Sequence, residues 1–224
     1  MKKITKYIPT IILTLLCSCS DYLDIVPDNV TTLDIVFNNR NTAERYLANC
    51  YHFVPDHGSV KRIPGMGAGH ECWFYTTNDS HFDNEVSFYI ARGLQNIDAP
   101  YANYWDGEGG SNLPMFRAIR ECNIFLDYVR DQHKVNDLTD SERKRWIAEV
   151  NVLKAYYHFF LFEHYGPIPI VDKALPVSTD PEGVKVTRMP VDQIVDYMVK
   201  LIDDSYKDLP PVITMEATEM GRLT

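Results

Sequence analysis

The stretch from Asp140 to about Tyr165, DSERKRWIAEVNVLKAYYHFFLFEHY, constrains the fold more than any other part of the chain. Trp146, Val150, Leu153, Tyr157, Phe160 and Leu161 recur at helical spacing and form one apolar stripe. Val152, Tyr156 and Phe159 form a second stripe on another side of the same helix. A helix that is apolar on two sides has to be sandwiched between neighbours, so this segment is expected at the centre of the protein. Its ends are marked as well. Thr139 is placed to cap the start, Glu142 completes a capping box, and Gly166-Pro167 stops the helix. Arg143 falls on the first turns, where exposure and a small contribution to stability are expected.

Three further helices flank this one. NTAERYLANCYHFV opens with Asn41 as cap and Glu44 as the answering half of a box; Tyr46, Leu47, Cys50, Tyr51 and Val54 form its stripe, and Pro55 ends it. A second helix, from about Leu113 to Arg130, buries Phe116, Ile119, Leu126 and Val129. Asn123 shares that face: either its amide ties down a neighbouring loop or helix end, or it sits half in water at the boundary. The last helix starts at Pro190, offers Ile194, Val195, Met198, Leu201 and Ile202 to the core, and closes at DLPP. Between Gly166 and Pro190 an extended PIPIV leads into a proline-punctuated loop with room for a short strand or two. Helices in compatible pairs without convincing strand alternation predict an all-α, helical-repeat-like architecture, although no repeat period shows in the residues.

From Asp56 to Asn112 the periodicity disappears, and Gly, Asn, Asp and aromatic residues dominate. Connections this long inside a domain are functional or disordered. Disordered segments are poor in the Trp, Phe and Tyr that abound here, so an ordered, aromatic-studded surface is expected.

The amino terminus sets the compartment. Lys2, Lys3 and Lys6 precede an apolar run from Tyr7 to Leu16, about half the length of a membrane span. Leu16 and Ser18 stand three and one residues before Cys19, the arrangement of a lipoprotein signal; Cys17, preceded by the bulky Leu16, fits poorly. Cys19 is therefore expected to become the acylated first residue, tethering the chain to a membrane without spanning it. Residues 1–18 form the signal peptide, 19–40 a tether and lead-in, and 41–224 the helical domain. Cleavage removes three lysines and no acid, taking the net charge from -9 to -12. Such an acidic chain has no electrostatic reason to hold nucleic acid. Cys50, Cys72 and Cys122 remain, an odd number that permits one internal bridge at most.

YLDIVPDN after the acylated cysteine, AEVNVLKAYYHFFLFEHYGPIPIV, VTRMPVDQIVDYMVKLIDDSYKDLP and MGRLT follow one another in the order seen in SusD/RagB-like proteins, and the chain resembles that family over nearly its whole length. YWDGEGGSNLPMFRAIRECNIFLD is similar to the family's aromatic-led helix, with Asn123 in the place of a recurrent asparagine. The resemblance implies tetratricopeptide-like helix pairs with a loop-rich, ligand-facing side. It implies an outer-membrane lipoprotein of Gram-negative bacteria that binds oligosaccharides, or in some members peptides, and partners a TonB-dependent transporter of the SusC type. It implies no enzyme activity and no cofactor. In the family GRLT leads into a further helix and a large remainder. The chain therefore reads as the N-terminal part of a longer protein, with Gly221 to Thr224 left as a cap with nothing to cap and with apolar faces of the last two helices uncovered.

The residues themselves favour a sugar site over catalysis. Sugars present apolar C–H faces flanked by hydroxyls, so they call for flat aromatic rings beside amides or carboxylates. Trp73 and Tyr75 with Asn78 and Asp79, and Tyr101, Asn103 and Tyr104, supply that combination. Trp105, next to a helix start, leans to the core. Asp79, Asp83, Glu85, Asp106 and Glu108 are not fixed in sequence as a pair across a cleft, as glycosidases require. His52, His57, His70, Cys72 and His81 match no zinc spacing, and NDSHFDNE lacks the pattern of a helix-loop-helix calcium site. No metal ligand is assigned, with calcium on the clustered oxygens of NDSHFDNE left open. The reading left open beside this one is a helical-repeat adaptor or peptide-binding lipoprotein that binds no sugar.

Overall fold

The computed structural model describes residues 32–59, 63–69, 86–109, 113–175, 182, 185–212, 217 and 219–224. Its helices, in chain order, are α1 (Leu33–Val36), α2 (Arg40–Tyr51), α3 (Pro64–Gly67), α4 (Val86–Ala91), α5 (Met115–Val129), α6 (Asp140–Tyr165) and α7 (Val191–Asp203), followed by a 3-10 turn at Tyr206–Asp208. The chain divides into two units, Met1–Val36 and Phe37–Thr224. Among the described residues the first unit contributes the turn α1, and the other helices belong to the second. No strand occurs among the described residues, so the loop before Pro190 carries none there.

The all-α architecture expected from the sequence is present. Helix α6 is its axis: α2, α5, α7 and the 3-10 turn all pack on it, and α2 also packs on α5. Trp146, Val150, Leu153, Tyr157, Phe160 and Leu161 are all buried, as the first stripe requires. Each such side chain contributes about 1.5–3 kcal/mol through removal of apolar surface from water. Phe37 closes the other end, stacked on Tyr128 at 4.5 Å and tilted against Tyr46 at 4.9 Å. The capping box at Thr139 and Glu142 is formed in both directions. Asn123 is buried and its Nδ2 donates to the Val171 carbonyl at 3.0 Å, tying the loop after α6 to α5.

Several expectations are corrected. The cap of α2 is Asn39, whose side chain accepts from the Thr42 N–H; Asn41 lies inside the helix. Glu44 instead pairs with Arg40 one turn earlier. The second stripe of α6 is incomplete, because Phe159 is exposed. Elsewhere α6 buries polar side chains of its own: Arg143, Glu149, Asn151, Lys154 and His158. Arg143, expected at the surface, donates to the carbonyls of Val129, Asp131, Lys134 and Val135 and so holds the α5–α6 connection. Its planar fork of donors suits that task, because a bend in the chain presents several unpaired carbonyls at once. In α7 Ile194 and Met198 are buried, whereas Val195 and Ile202 stay largely in water.

A polar cluster joins α6 to α7, with Lys154 and His158 buried and Asp172 exposed at its edge. Lys154 Nζ donates to Asp172 Oδ1 at 2.8 Å and to the Asp172 carbonyl at 3.0 Å, and Tyr197 donates to the same carboxylate at 2.8 Å. Burial alone would raise the Asp172 carboxyl; the hydrogen bonds from Lys154 and Tyr197 outweigh it and hold the group below the ordinary range. His158 Nδ1 faces the Lys154 carbonyl at 2.7 Å, while Nε2 accepts from the Val171 N–H at 3.4 Å. The ring is therefore neutral, protonated on Nδ1. Burial, helped by the Lys154 ammonium, pushes His158 down to about 4, although its backbone hydrogen bond and Asp172 pull the other way.

A pH dependence follows. An unfolded histidine titrates near 6.5, so the unfolded chain binds the extra proton first as pH falls. The stabilisation from neutral His158 is complete above about 6.5 and is lost between there and about 4. Its size is on the order of 3 kcal/mol. Urea unfolding at pH 7 and pH 4.5 should show a steeper loss for the native chain than for His158→Gln. Equal losses would mean that His158 is not held neutral.

Candidate functional site

The described part of the aromatic segment is built around one loop, residues 92–109, between α4 and the approach to α5. Its shape is fixed by its own amides. Gln95 pairs with the backbone of Tyr101 in both directions, accepting from its N–H at 2.6 Å and donating to its carbonyl at 2.8 Å. Asn96 Oδ1 accepts from the Ala99 N–H at 2.7 Å, closing a tight turn. The far side is closed by the Ala102 N–H, which donates to the Gly109 carbonyl at 3.1 Å. Gly109 has φ +61°, and a Cβ there would lie 2.0 Å from the Pro100 carbonyl oxygen, so only glycine fits. The loop is ordered by hydrogen bonding, as its composition suggested, and the aperiodic region also holds the short helices α3 and α4.

This loop places Tyr101 flat against Tyr89 of α4, with ring centroids 4.7 Å apart and planes 21° from parallel. Both rings are half-buried. Beside them lies a cleft of about 250 Å³ whose lining includes Ile90, Gln95, Tyr101, Asn103, His164 and Tyr165. The floor comes from the last turn of α6. His164 rests on Phe160 at 4.3 Å and on Tyr104 at 4.8 Å, and its Nδ1 lies 2.8 Å from the Phe160 carbonyl. Tyr165 OH accepts from the Tyr104 N–H at 2.8 Å, locking loop to helix. Burial raises the Tyr165 phenol, against the pull of the backbone N–H groups of Tyr104 and Trp105. The hydroxyl stays protonated at neutral pH and keeps a proton to donate.

The expected site residues are distributed unevenly. Trp73, Tyr75, Asn78 and Asp79 lie outside the described residues, as do Cys19 and the signal peptide. Tyr101 and Asn103 line the cleft. Asn103 also serves the turn: its Nδ2 donates to Asp106 Oδ1 at 2.7 Å and its Oδ1 accepts from the Trp105 N–H at 3.1 Å. Tyr104 is corrected as a stacking ring. It is 1% exposed, its ring set at 78° to that of Phe160, and can only wall the cleft from behind. Trp105 is half-buried, edge-on to Phe116 at 4.6 Å and to Tyr165 at 5.5 Å, with the Arg188 guanidinium 5.1 Å from its ring centroid. Tyr89, Gln95, His164 and Tyr165 were missed. Tyr165 and His164 sit in EHYGPIPI, a polar-aromatic helix end before a Gly-Pro stop, and that end was readable as a place where a loop could dock.

Among the described residues no group of three or more His, Cys, Asp or Glu could hold a metal. His70, Cys72, His81 and the NDSHFDNE stretch lie outside them. No helix of the described residues is long and apolar enough to cross a membrane. Cys50 and Cys122 are buried free thiols in adjacent helices, and their mutual hydrogen bond together with burial pushes the Cys50 thiol up.

Helix pairs that carry a long, ordered loop over one end of a central helix place this chain among tetratricopeptide-like α-helical scaffolds. A SusD-like family described as starch-binding and associating with the outer membrane matches residues 21–219, and the chain belongs to that family. Solved structures agree on the fold. A laminarin-binding SusD-like protein superposes with a TM-score of 0.61 at 17% identity, over 84% of this chain and 38% of its own. A SusD-like protein from Bacteroides fragilis gives a TM-score of 0.58 at 17% identity, over 90% and 34%. A SusD-like carbohydrate-binding protein from the same organism gives 0.55 at 20%, over 84% and 35%. The chain thus spans between a third and two-fifths of the length of these structures. No curated protein matches it.

Proposed function

We propose that this protein is a glycan-capturing lipoprotein of the outer membrane. In this reading Cys19 carries the lipid anchor, and captured oligosaccharide passes to a TonB-dependent transporter of the SusC type. The observation that carries the glycan reading is the Tyr89–Tyr101 pair beside a cleft edged by Gln95, Asn103, His164 and Tyr165. A half-buried tyrosine pair gives a rigid apolar platform for the C–H face of a sugar ring, and the amide, imidazole and phenol groups can meet its hydroxyls. The family description and the names of the laminarin-binding and carbohydrate-binding relatives support the same chemistry. Trp73, Tyr75, Asn78 and Asp79 belong to the proposal as further contacts on the same segment of sequence. Binding rather than hydrolysis is the proposed role.

The test is an oligosaccharide array probed with the protein. Capture of at least one soluble glycan class, competed by the same free sugar, is expected. Failure to bind any sugar while binding peptides would favour the peptide-binding reading instead.

A further inference from the structure

Cys50 and Cys122 meet inside the contact between α2 and α5. The side-chain pairs show that these helices run antiparallel. Phe37, just before α2, stacks on Tyr128; Tyr46 lies over Phe125 at 6.4 Å and donates to Glu121 at 2.5 Å. Asn49 donates to the same carboxylate at 3.4 Å. The residue after Asn49 is Cys50, and the residue after Glu121 is Cys122. Both cysteines are 0% exposed, and their thiols are hydrogen-bonded to each other. The Tyr157 hydroxyl of α6 donates to the Cys50 carbonyl at 2.5 Å and fixes that turn of α2. One buried cysteine is an ordinary small apolar residue. Two whose thiols meet across a helix pair bring together the converging side chains that a disulfide requires.

The compartment decides what becomes of such a pair, because thiols are kept reduced in the cytosol and are oxidised after export. We propose that Cys50 and Cys122 are joined by a disulfide as the exported chain folds, bolting α2 to α5. The proposal rests on the export of the chain and not on its binding of glycans. The oxidant is a protein of the thiol–disulfide oxidoreductase class. The thiolate of one cysteine attacks the oxidant's disulfide, which forms a mixed disulfide and releases one oxidant sulfur. The thiolate of the second cysteine then attacks the sulfur of the first, closing the Cys50–Cys122 bond and releasing the oxidant's other sulfur. Two electrons pass to the oxidant, which leaves as a dithiol carrying the two thiol protons. Neither thiol is reachable in the folded protein, so the exchange takes place before α2 and α5 close on each other. Cys72 is the odd cysteine and keeps its thiol. A bond between residues so far apart in sequence removes much of the freedom of the unfolded chain.

The test takes the whole protein from its own cells, lysed directly into denaturant and N-ethylmaleimide so that no thiol oxidises afterwards. Peptide masses are read with and without reduction, and a parallel sample is fractionated into membrane and cytosol. Without reductant Cys50 and Cys122 should carry no label, and their two peptides should be linked and lighter by two hydrogens. After reduction with a phosphine both should be labelled. In Cys50→Ala the Cys122 thiol should become labelled without reduction, an outcome that does not depend on the variant's folding. The thermal midpoint of the native protein should fall by about 5–15 °C when the phosphine is present during unfolding. That of Cys50→Ala/Cys122→Ala should not respond to it. Labelling of both cysteines in unreduced, membrane-located protein would overturn the proposal and leave export and glycan capture standing. So would a bond from either cysteine to Cys72, or a native midpoint indifferent to reductant. Reduced protein found in the cytosol would overturn export, and the proposal with it.

Discussion

Replacing Phe160 by alanine should cost about 3–5 kcal/mol of folding stability, the range for removal of a large aromatic from a packed interior. Phe160 is 1% exposed and lies where the central helix meets the loop that shapes the cleft. Its ring touches Tyr104 at 4.9 Å, His164 at 4.3 Å and His57 at 5.9 Å, so its removal opens a void shared by three elements. Leu153→Ala, two stripe positions earlier in the helix, should cost about 2–5 kcal/mol. Arg143→Ala belongs in the same experiment. It strips four carbonyls of their donor, and a buried acceptor left unpaired costs about 1–3 kcal/mol. Urea unfolding with unchanged slopes would measure all three. A loss below about 1 kcal/mol for Phe160→Ala would mean that α6 is not the axis of the core.

The second large effect is electrostatic. Glu149 is fully buried on α6 and depends on two guanidiniums. Arg222 Nη2 lies 2.8 Å from Oε1 and its Nε 3.2 Å from Oε2. Arg145 Nε approaches Oε1 to 2.9 Å, as an ion contact outside hydrogen-bonding geometry. Tyr51 donates to Oε2 at 2.8 Å, and its oxygen accepts from the Leu223 N–H. Glu219 bridges the two arginines from outside. Arg222→Ala should therefore cost about 3–5 kcal/mol, because it leaves a buried carboxylate half compensated. Glu149→Gln removes that charge, so the double variant should be clearly more stable than the sum of the two single losses predicts. Strict additivity in a double-mutant cycle would show that the two groups do not act as a pair.

That network also marks where sequence reasoning stops. GRLT was expected to open a helix, and the structure carries Arg222 back to Glu44 of α2 and Glu149 of α6. Nothing in a tetrapeptide announces a partner 73 residues away. Arg143 failed for a related reason. A charged residue in the first turns of a helix has the signature of the surface, and only the path of the α5–α6 connection turns loose carbonyls toward it. Asn39 and Asn41 are equally good caps by type, and the choice between them depends on Phe37 anchoring the chain just before the helix. By contrast the long helix and its capping box were legible, because periodicity and capping are local; for Asn123 the sequence left two readings open, and the fold selects the tie to the loop after α6. The α7 stripe was legible as apolar, and Ile194 and Met198 are buried while Val195 and Ile202 stay exposed, since periodicity shows that a face exists and not what covers it.

The cleft was legible in kind and not in arrangement. Tyr101 and Asn103 were candidates because aromatic and amide residues crowd that loop, and the fold sets both at the cleft. Tyr104 was misplaced because neighbouring tyrosines in a turn point in opposite directions, and the turn at Ala102, with φ +53°, decides which one enters the core. Tyr89, Gln95 and His164 come from other segments and meet Tyr101 only in the fold.

The most direct test of the glycan reading is calorimetric titration of a sugar retained on the array, with native protein and with Tyr101→Ala. Loss of one stacking face should weaken binding by about 1–2 kcal/mol, roughly five- to thirtyfold in affinity, with the unfolding midpoint little changed. Unchanged affinity in folded Tyr101→Ala would contradict the assignment of this cleft, and absence of heat with every sugar would contradict glycan capture itself.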